Sequence, residues 1–234
     1  MIRALTTRRM QAALSSSTPC ACAWRPTPAA SSIDFLKQIK GETMSYYDTP
    51  TKLLHKGMAL TVSVQVLLSF FMEPPELGKV HEQLELQLFE AHEWVGIAAA
   101  LIVIAHVAYS LISSGNASWR TLFPWLTGEG CCKLLGELKQ VGSWFKQGLP
   151  HPDKSHTLAS AVHGAGVLLV LFQGLTGGCL FLGIAESGAM SKGIEEVKEM
   201  HEVFGMLIIA YLVLHIVAAI WHQRLGHDVI SRIK

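Results

Sequence analysis

Four stretches without a charged side chain dominate this sequence: 57–72 with 16 residues, 94–119 with 26, 157–185 with 29 and 203–223 with 21. A helix needs about 20 consecutive apolar residues to cross a bilayer. The last three stretches satisfy that length outright. The first satisfies it when Leu53 and Leu54 are counted around His55 and when Lys52 and Lys56 extend their ammonium groups to the membrane surface. The chain as a whole is 50% hydrophobic and 16% charged, with a mean hydropathy of +0.34, which is too apolar for an ordinary soluble domain. The fold class expected is therefore an all-α membrane protein, a four-transmembrane-helix bundle.

The loops set its orientation. Residues 73–93 hold Glu73, Glu76, Glu82, Glu85, Glu90 and Glu93 against Lys79 alone, and 186–202 is also rich in acid. The opposite side carries Lys37, Lys40, Lys52 and Lys56, then Arg120, Lys133, Lys139, Lys146 and Lys154, then Arg224, Arg232 and Lys234. Lysine and arginine collect on the cytoplasmic side of membrane proteins, so both termini are expected in the cytoplasm. A net charge of +1 offers no case for nucleic acid binding. Cys20 and Cys22, the vicinal Cys131 and Cys132, and Cys179 form no C-x-x-C and no C-x-x-C-H. Zinc ribbons, thioredoxin-like redox motifs and covalent haem attachment are thereby excluded.

Residues 1–43 differ from the rest. Up to Ile33 there are four arginines and no acid, among many Ser, Thr, Ala and Pro residues. That composition fits an organelle targeting segment. It fits equally an over-extended start ahead of Met44, which is the reading preferred here, with 44–234 as the membrane domain. Between the second and third spans, "KLLGELKQVGSWF" places Leu134, Leu135, Leu138, Val141, Trp144 and Phe145 at helical spacing beside Lys133, Lys139 and Lys146. This predicts a short helix lying in the membrane interface.

Eleven histidines are present. His81, His151, His156 and His227 fall in loops or tails, and His222 at the end of the last span. The informative ones lie in the spans. "HEWVGIAAALIVIAH" runs from His92 to His106 and "HEVFGMLIIAYLVLH" from His201 to His215, so H-E-x-x-G-x9-H occurs twice. Fourteen residues of helix rise about 21 Å and return to within about 40° of the starting direction. Each helix therefore carries two rings on one face, near opposite leaflets. The second and fourth spans run parallel, so His92 is level with His201 and His106 with His215. Ionisable residues inside a span are costly and mark function. Paired neutral imidazoles at two depths suit two irons held from both faces, whereas zinc wants four ligands closer in sequence, and H-E-x-x-H is absent. Interhelical hydrogen bonding is the plainer explanation. Gly96 and Gly205, one turn from their histidines, would keep a side chain clear of a flat macrocycle. His55 is a fifth candidate, at the depth of His106 and His215. Geometry leaves His55 and His106 both open as the partner of His215, and spacing favours His106.

The chain resembles the bacterial four-helix dihaem b-type cytochromes, a family that includes the membrane subunits of nickel–iron hydrogenases and formate dehydrogenases and small stand-alone relatives. The resemblance covers about residues 46–234. It is carried by "KLLHKGMAL", by "HEWVG" and by "HEVFGMLIIAYLVLHIVAAIWHQRLGHDVISRIK". It implies two haem b groups, the outer held by His92 and His201 and the inner by His55 and His215. His106 departs from the single ligand expected on the second helix, where it would meet a haem propionate, support an axial ligand or replace His55. The resemblance also implies a quinone site near the inner haem, for which Lys56, His163, His222 and Asp228 are candidates and His163 the preferred one. The function implied is electron transfer between a quinone pool and a redox partner in the bacterial inner membrane. The partners expected are membrane lipid, a quinone, and an oxidoreductase subunit or a cytochrome c, and a homodimer is compatible with the family. No catalytic triad or paired carboxylates suggest hydrolysis. The alternative is a cofactor-free scaffold or a proton-relaying transporter, for which Gly174, Gly177 and Gly178 are the positions where the third span could break.

Overall fold

The computed structural model describes residues 46–75, 78–80, 82–147, 157–185 and 187–233. The expected extension at 1–43, the domain start at Met44, and His81, His151 and His156 lie outside the described residues. Every regular element among the described residues is helical: α1 (Thr49–Ser69), α2 (Gln83–Ile112), α3 (Gly128–Gln147), α4 (Thr157–Gly183) and α5 (Lys192–Arg224), with short helical turns between and after them.

Three of these helices, α2, α4 and α5, are long and apolar enough to cross a membrane. Their most apolar windows are only 22%, 17% and 6% buried inside the protein. A helix that is apolar all round needs an apolar environment on every side. These helices find little of it in one another, so lipid must supply the rest. α1 has 21 residues but carries Lys52, His55 and Lys56 in its first half, and it is not among the three. Of the four spans expected, three are therefore met by length and composition.

Two spans begin earlier than their uncharged runs. α2 starts at Gln83, because Glu82 and Glu85 form a reciprocal capping box in which the Glu82 N–H donates to the Glu85 carboxylate at 3.1 Å. α5 starts at Lys192, with the Ser191 hydroxyl accepting from the Ile194 N–H at 3.4 Å. His92 and His201 thus lie inside helices rather than at their mouths. α4 runs unbroken through Gly174, Gly177 and Gly178, so the helix break a transporter reading would use is not formed.

The helices pack in the order α1 on α2, α2 on α4 and α4 on α5, each pair antiparallel. α2 and α5 are not among the closely packed pairs. The expected interfacial helix is α3, longer than the pattern suggested at 20 residues. It is tied to the bundle through Glu137, whose carboxylate accepts from the backbone N–H groups of Thr157 (3.3 Å) and Leu158 (2.7 Å) at the start of α4. These amides have no partner within their own helix.

The chain between α2 and α3 folds back into the bundle. Phe123 packs with Val103 and Val167 in the buried core, flanked by Trp119, Leu122 and Trp125. Gly164 permits this approach: a Cβ there would lie 2.1 Å from the Leu122 carbonyl oxygen. Backbone cannot swing aside as a side-chain tip can. Gly164→Ala is therefore expected to cost about 1–3 kcal/mol, read as a lowered thermal unfolding midpoint. Gly178→Ala, where nothing lies within 4 Å, serves as the control and should melt with the wild type.

Candidate cofactor site

Two histidine clusters sit at two levels of the bundle. At one level the His92 and His201 rings lie edge to face, with centroids 6.4 Å apart and planes at 79°. They project from α2 and α5, so they meet across the space that closer helix packing would have filled. At the other level His55, His106, His163 and His215 line one cavity. One ring nitrogen from each of His55, His163 and His215 lies within 4.8 Å of the others. His163 adjoins both of the others, 6.4 Å from His55 and 5.1 Å from His215 by ring centroid. Tyr211 stacks on His215 at 5.6 Å and 15°. Its hydroxyl end occupies the space where a Cβ on Gly166 would sit.

The pairing by level expected from the repeat is therefore met for His92 with His201. His106 shares the inner cavity with His215 but lies outside the close three-histidine group. Lys56, His222 and Asp228 do not line that cavity, whereas Lys52, Tyr47, Asn116 and Thr121 do. His222 instead meets His227, Nδ1 to Nδ1, at 3.0 Å. Burial, with Tyr46 adding and Arg232 opposing, pushes the Tyr47 phenol up to about 12. It remains a protonated donor at the cavity rim.

The ring nitrogens are partnered unequally. Among the described residues, the buried Nδ1 atoms of His55, His92 and His106 have no hydrogen-bond partner. His163 Nδ1 lies 2.8 Å from the Ala159 carbonyl oxygen, and His201 Nδ1 lies 2.9 Å from the Thr176 hydroxyl. A carbonyl only accepts, so His163 Nδ1 carries a proton, which in the neutral ring leaves Nε2 as the acceptor.

Sequence reasoning missed two residues that build the His92–His201 level. The Gln65 side-chain amide of α1 donates to the His92 carbonyl oxygen at 2.9 Å. The Gln173 amide of α4 donates to the His201 carbonyl oxygen, also at 2.9 Å. A helix carbonyl already accepts from the N–H four residues on, and here that residue is Gly96 or Gly205. A Cβ at Gly96 would lie 2.5 Å from Gln65 Nε2, and one at Gly205 would lie 3.4 Å from Gln173 Nε2. In this structure Gly96 makes room for an amide, whereas a Cβ at Gly205 would only touch one.

The signal was present. His55 and Gln65 on α1, and His163 and Gln173 on α4, both read H-x9-Q. Their offset is 108 residues, against 109 between His92 and His201, Gly96 and Gly205, or His106 and His215. The repeat thus spans a whole helical hairpin, α1–α2 and then α4–α5.

The pattern of a family described as prokaryotic cytochrome b561 matches residues 46–234. No curated protein and no solved structure matches the chain.

Proposed function

Because this chain belongs to the prokaryotic cytochrome b561 family, and is thereby a multi-pass membrane cytochrome of haem-mediated electron transfer, we propose that it moves electrons between a quinone pool and a redox partner through two b haems near opposite leaflets. His92 and His201 hold the outer iron. His55 and His215 hold the inner one. α1 is the fourth span, with Lys52 and Lys56 at the cytoplasmic surface and both termini on that side. Residues 1–43 are an N-terminal extension and 44–234 the cytochrome domain.

The observation that carries this reading is the 6.4 Å between the His92 and His201 centroids. A ligating nitrogen lies about 2 Å from its metal and about 1.2 Å from its own ring centre, so two imidazoles on opposite faces of one iron stand about 6.4 Å apart. For the inner pair, nitrogens of His55 and His215 lie within 4.8 Å, and two nitrogens across one iron are about 4 Å apart. The donor set fits as well: half-buried imidazoles with no acid among them suit haem iron.

Bound haem supplies one-electron redox chemistry. The protein supplies ligands, spacing and polarity. The Gln65 and Gln173 amides tie the His92 and His201 turns to the neighbouring helices, which limits ring movement between redox states. In the inner cavity His163, anchored through Nδ1, presents Nε2 as an acceptor for a quinol hydroxyl. The purified protein mixed with a reduced quinone analogue should develop a reduced b-type spectrum, and His163→Ala should slow this at least tenfold while leaving dithionite reduction intact. Reduction by dithionite but by no quinol would remove the quinone from the proposal.

A further inference from the structure

The two outer histidines differ in a way that the repeat does not share. The Thr176 hydroxyl lies 3.1 Å from the carbonyl oxygens of both Phe172 and Gln173, and 2.9 Å from His201 Nδ1. A hydroxyl has one proton, and carbonyl oxygens cannot give one. The Thr176 proton is therefore committed to its own helix, and its lone pair faces His201. With that proton given to either carbonyl of its own helix, His201 Nδ1 is the donor to Thr176. The ring is backed against α4 at this point, since a Cβ on Gly177 would lie 3.2 Å from His201 Cε1. Thr176 itself is 7% exposed, so water does not compete for the bond. On the other hairpin the matching position, three residues after Gln65, is Leu68. Leucine accepts nothing, and His92 Nδ1 is buried without a partner.

We propose that Thr176 is a positioning residue that fixes His201 in the Nδ1–H tautomer, so that Nε2 is bare for iron, and that it makes His201 the stronger electron donor of two unequal outer ligands. This rests on the bis-histidine reading given above. A hydrogen bond from the far nitrogen of a ligating imidazole raises its basicity and fixes its orientation, and losing such a partner typically costs about 10–100-fold in metal affinity. A more basic ligand favours the oxidised iron. The outer haem is thus held at a lower potential than its ligand identities alone would set.

Thr176→Val keeps the shape and removes the acceptor, and Thr176→Ser restores it. In haem-free protein labelled with 15N-histidine, His201 should show the Nδ1–H tautomer in the wild type and in T176S and lose it in T176V. In the haem-loaded protein T176V should raise the midpoint potential of one haem, leave the other unchanged, and weaken retention of the shifted haem about tenfold. T176S should reverse both changes, and Leu68→Thr should shift the same haem in the opposite sense. An Nε2–H tautomer in the wild type, unchanged potentials in T176V, or no rescue by serine would overturn the proposal. If His201→Ala keeps both haems while the tautomer result stands, the ligand reading fails and the hydrogen bond survives.

Discussion

Replacing His201 with alanine is expected to remove one haem from each chain and leave the other in place. His201 and His92 adjoin one another at one level of the bundle, away from the cavity lined by His55, His106, His163 and His215. Haem retained by a single axial ligand loses half of its protein–iron bonding, and removal of a ligand outweighs the roughly 10–100-fold cost of losing only the ligand's supporting partner. His92→Ala should lose the same haem. On the proposed pairing of the two rings on one iron, the double variant should lose no more than either single one. Stability falls in step, since a ligand that binds only the folded state contributes RT ln(1 + [L]/Kd), about 4 kcal/mol at a thousandfold excess over Kd. Haem content per chain and the thermal midpoint read the two effects separately.

At the inner level His215→Ala and His55→Ala should each remove the second haem, while His106→Ala and His163→Ala should keep both. The basis is proximity: His55, His163 and His215 bring ring nitrogens within 4.8 Å of one another, and His106 stands outside that group. Within the group, His163 is held through Nδ1 by the Ala159 carbonyl of its own helix, which suits it to meet quinol. The decisive comparison is His55→Ala against His163→Ala. Loss of the inner haem in the latter, with retention in the former, would transfer the ligand role to the third span.

The main features of the fold were legible because the bilayer imposes a length on apolar runs. α2, α4 and α5 stand out for that reason. α1 is harder to read, since Lys52 and Lys56 interrupt its apolar stretch at one end. The polar first turns of α2 and α5 were missed because a hydropathy pattern sees the membrane and not the capping groups that start a helix outside it. The return of Phe123 into the core depends on Gly164 clearing a path for the Leu122 carbonyl, a contact between distant residues that no local pattern encodes. In the site, the H-E-x-x-G-x9-H repeat led directly to His92 and His201. It did not lead to His163, because the half of the repeat carried on α1 and α4 is written in only two residues, His and Gln. Thr176 carried no signal at all. Its effect depends on where its single proton goes, which only the hydrogen bonds around it reveal.

The most direct measurement is the haem content of the protein purified from haem-replete cells, by extraction and by the reduced spectrum of the intact chain. The proposed four histidine ligands at two levels would fill two irons, so the result expected is about two haem b per chain, both six-coordinate and low-spin. A folded, monodisperse and colourless protein would contradict the central claim.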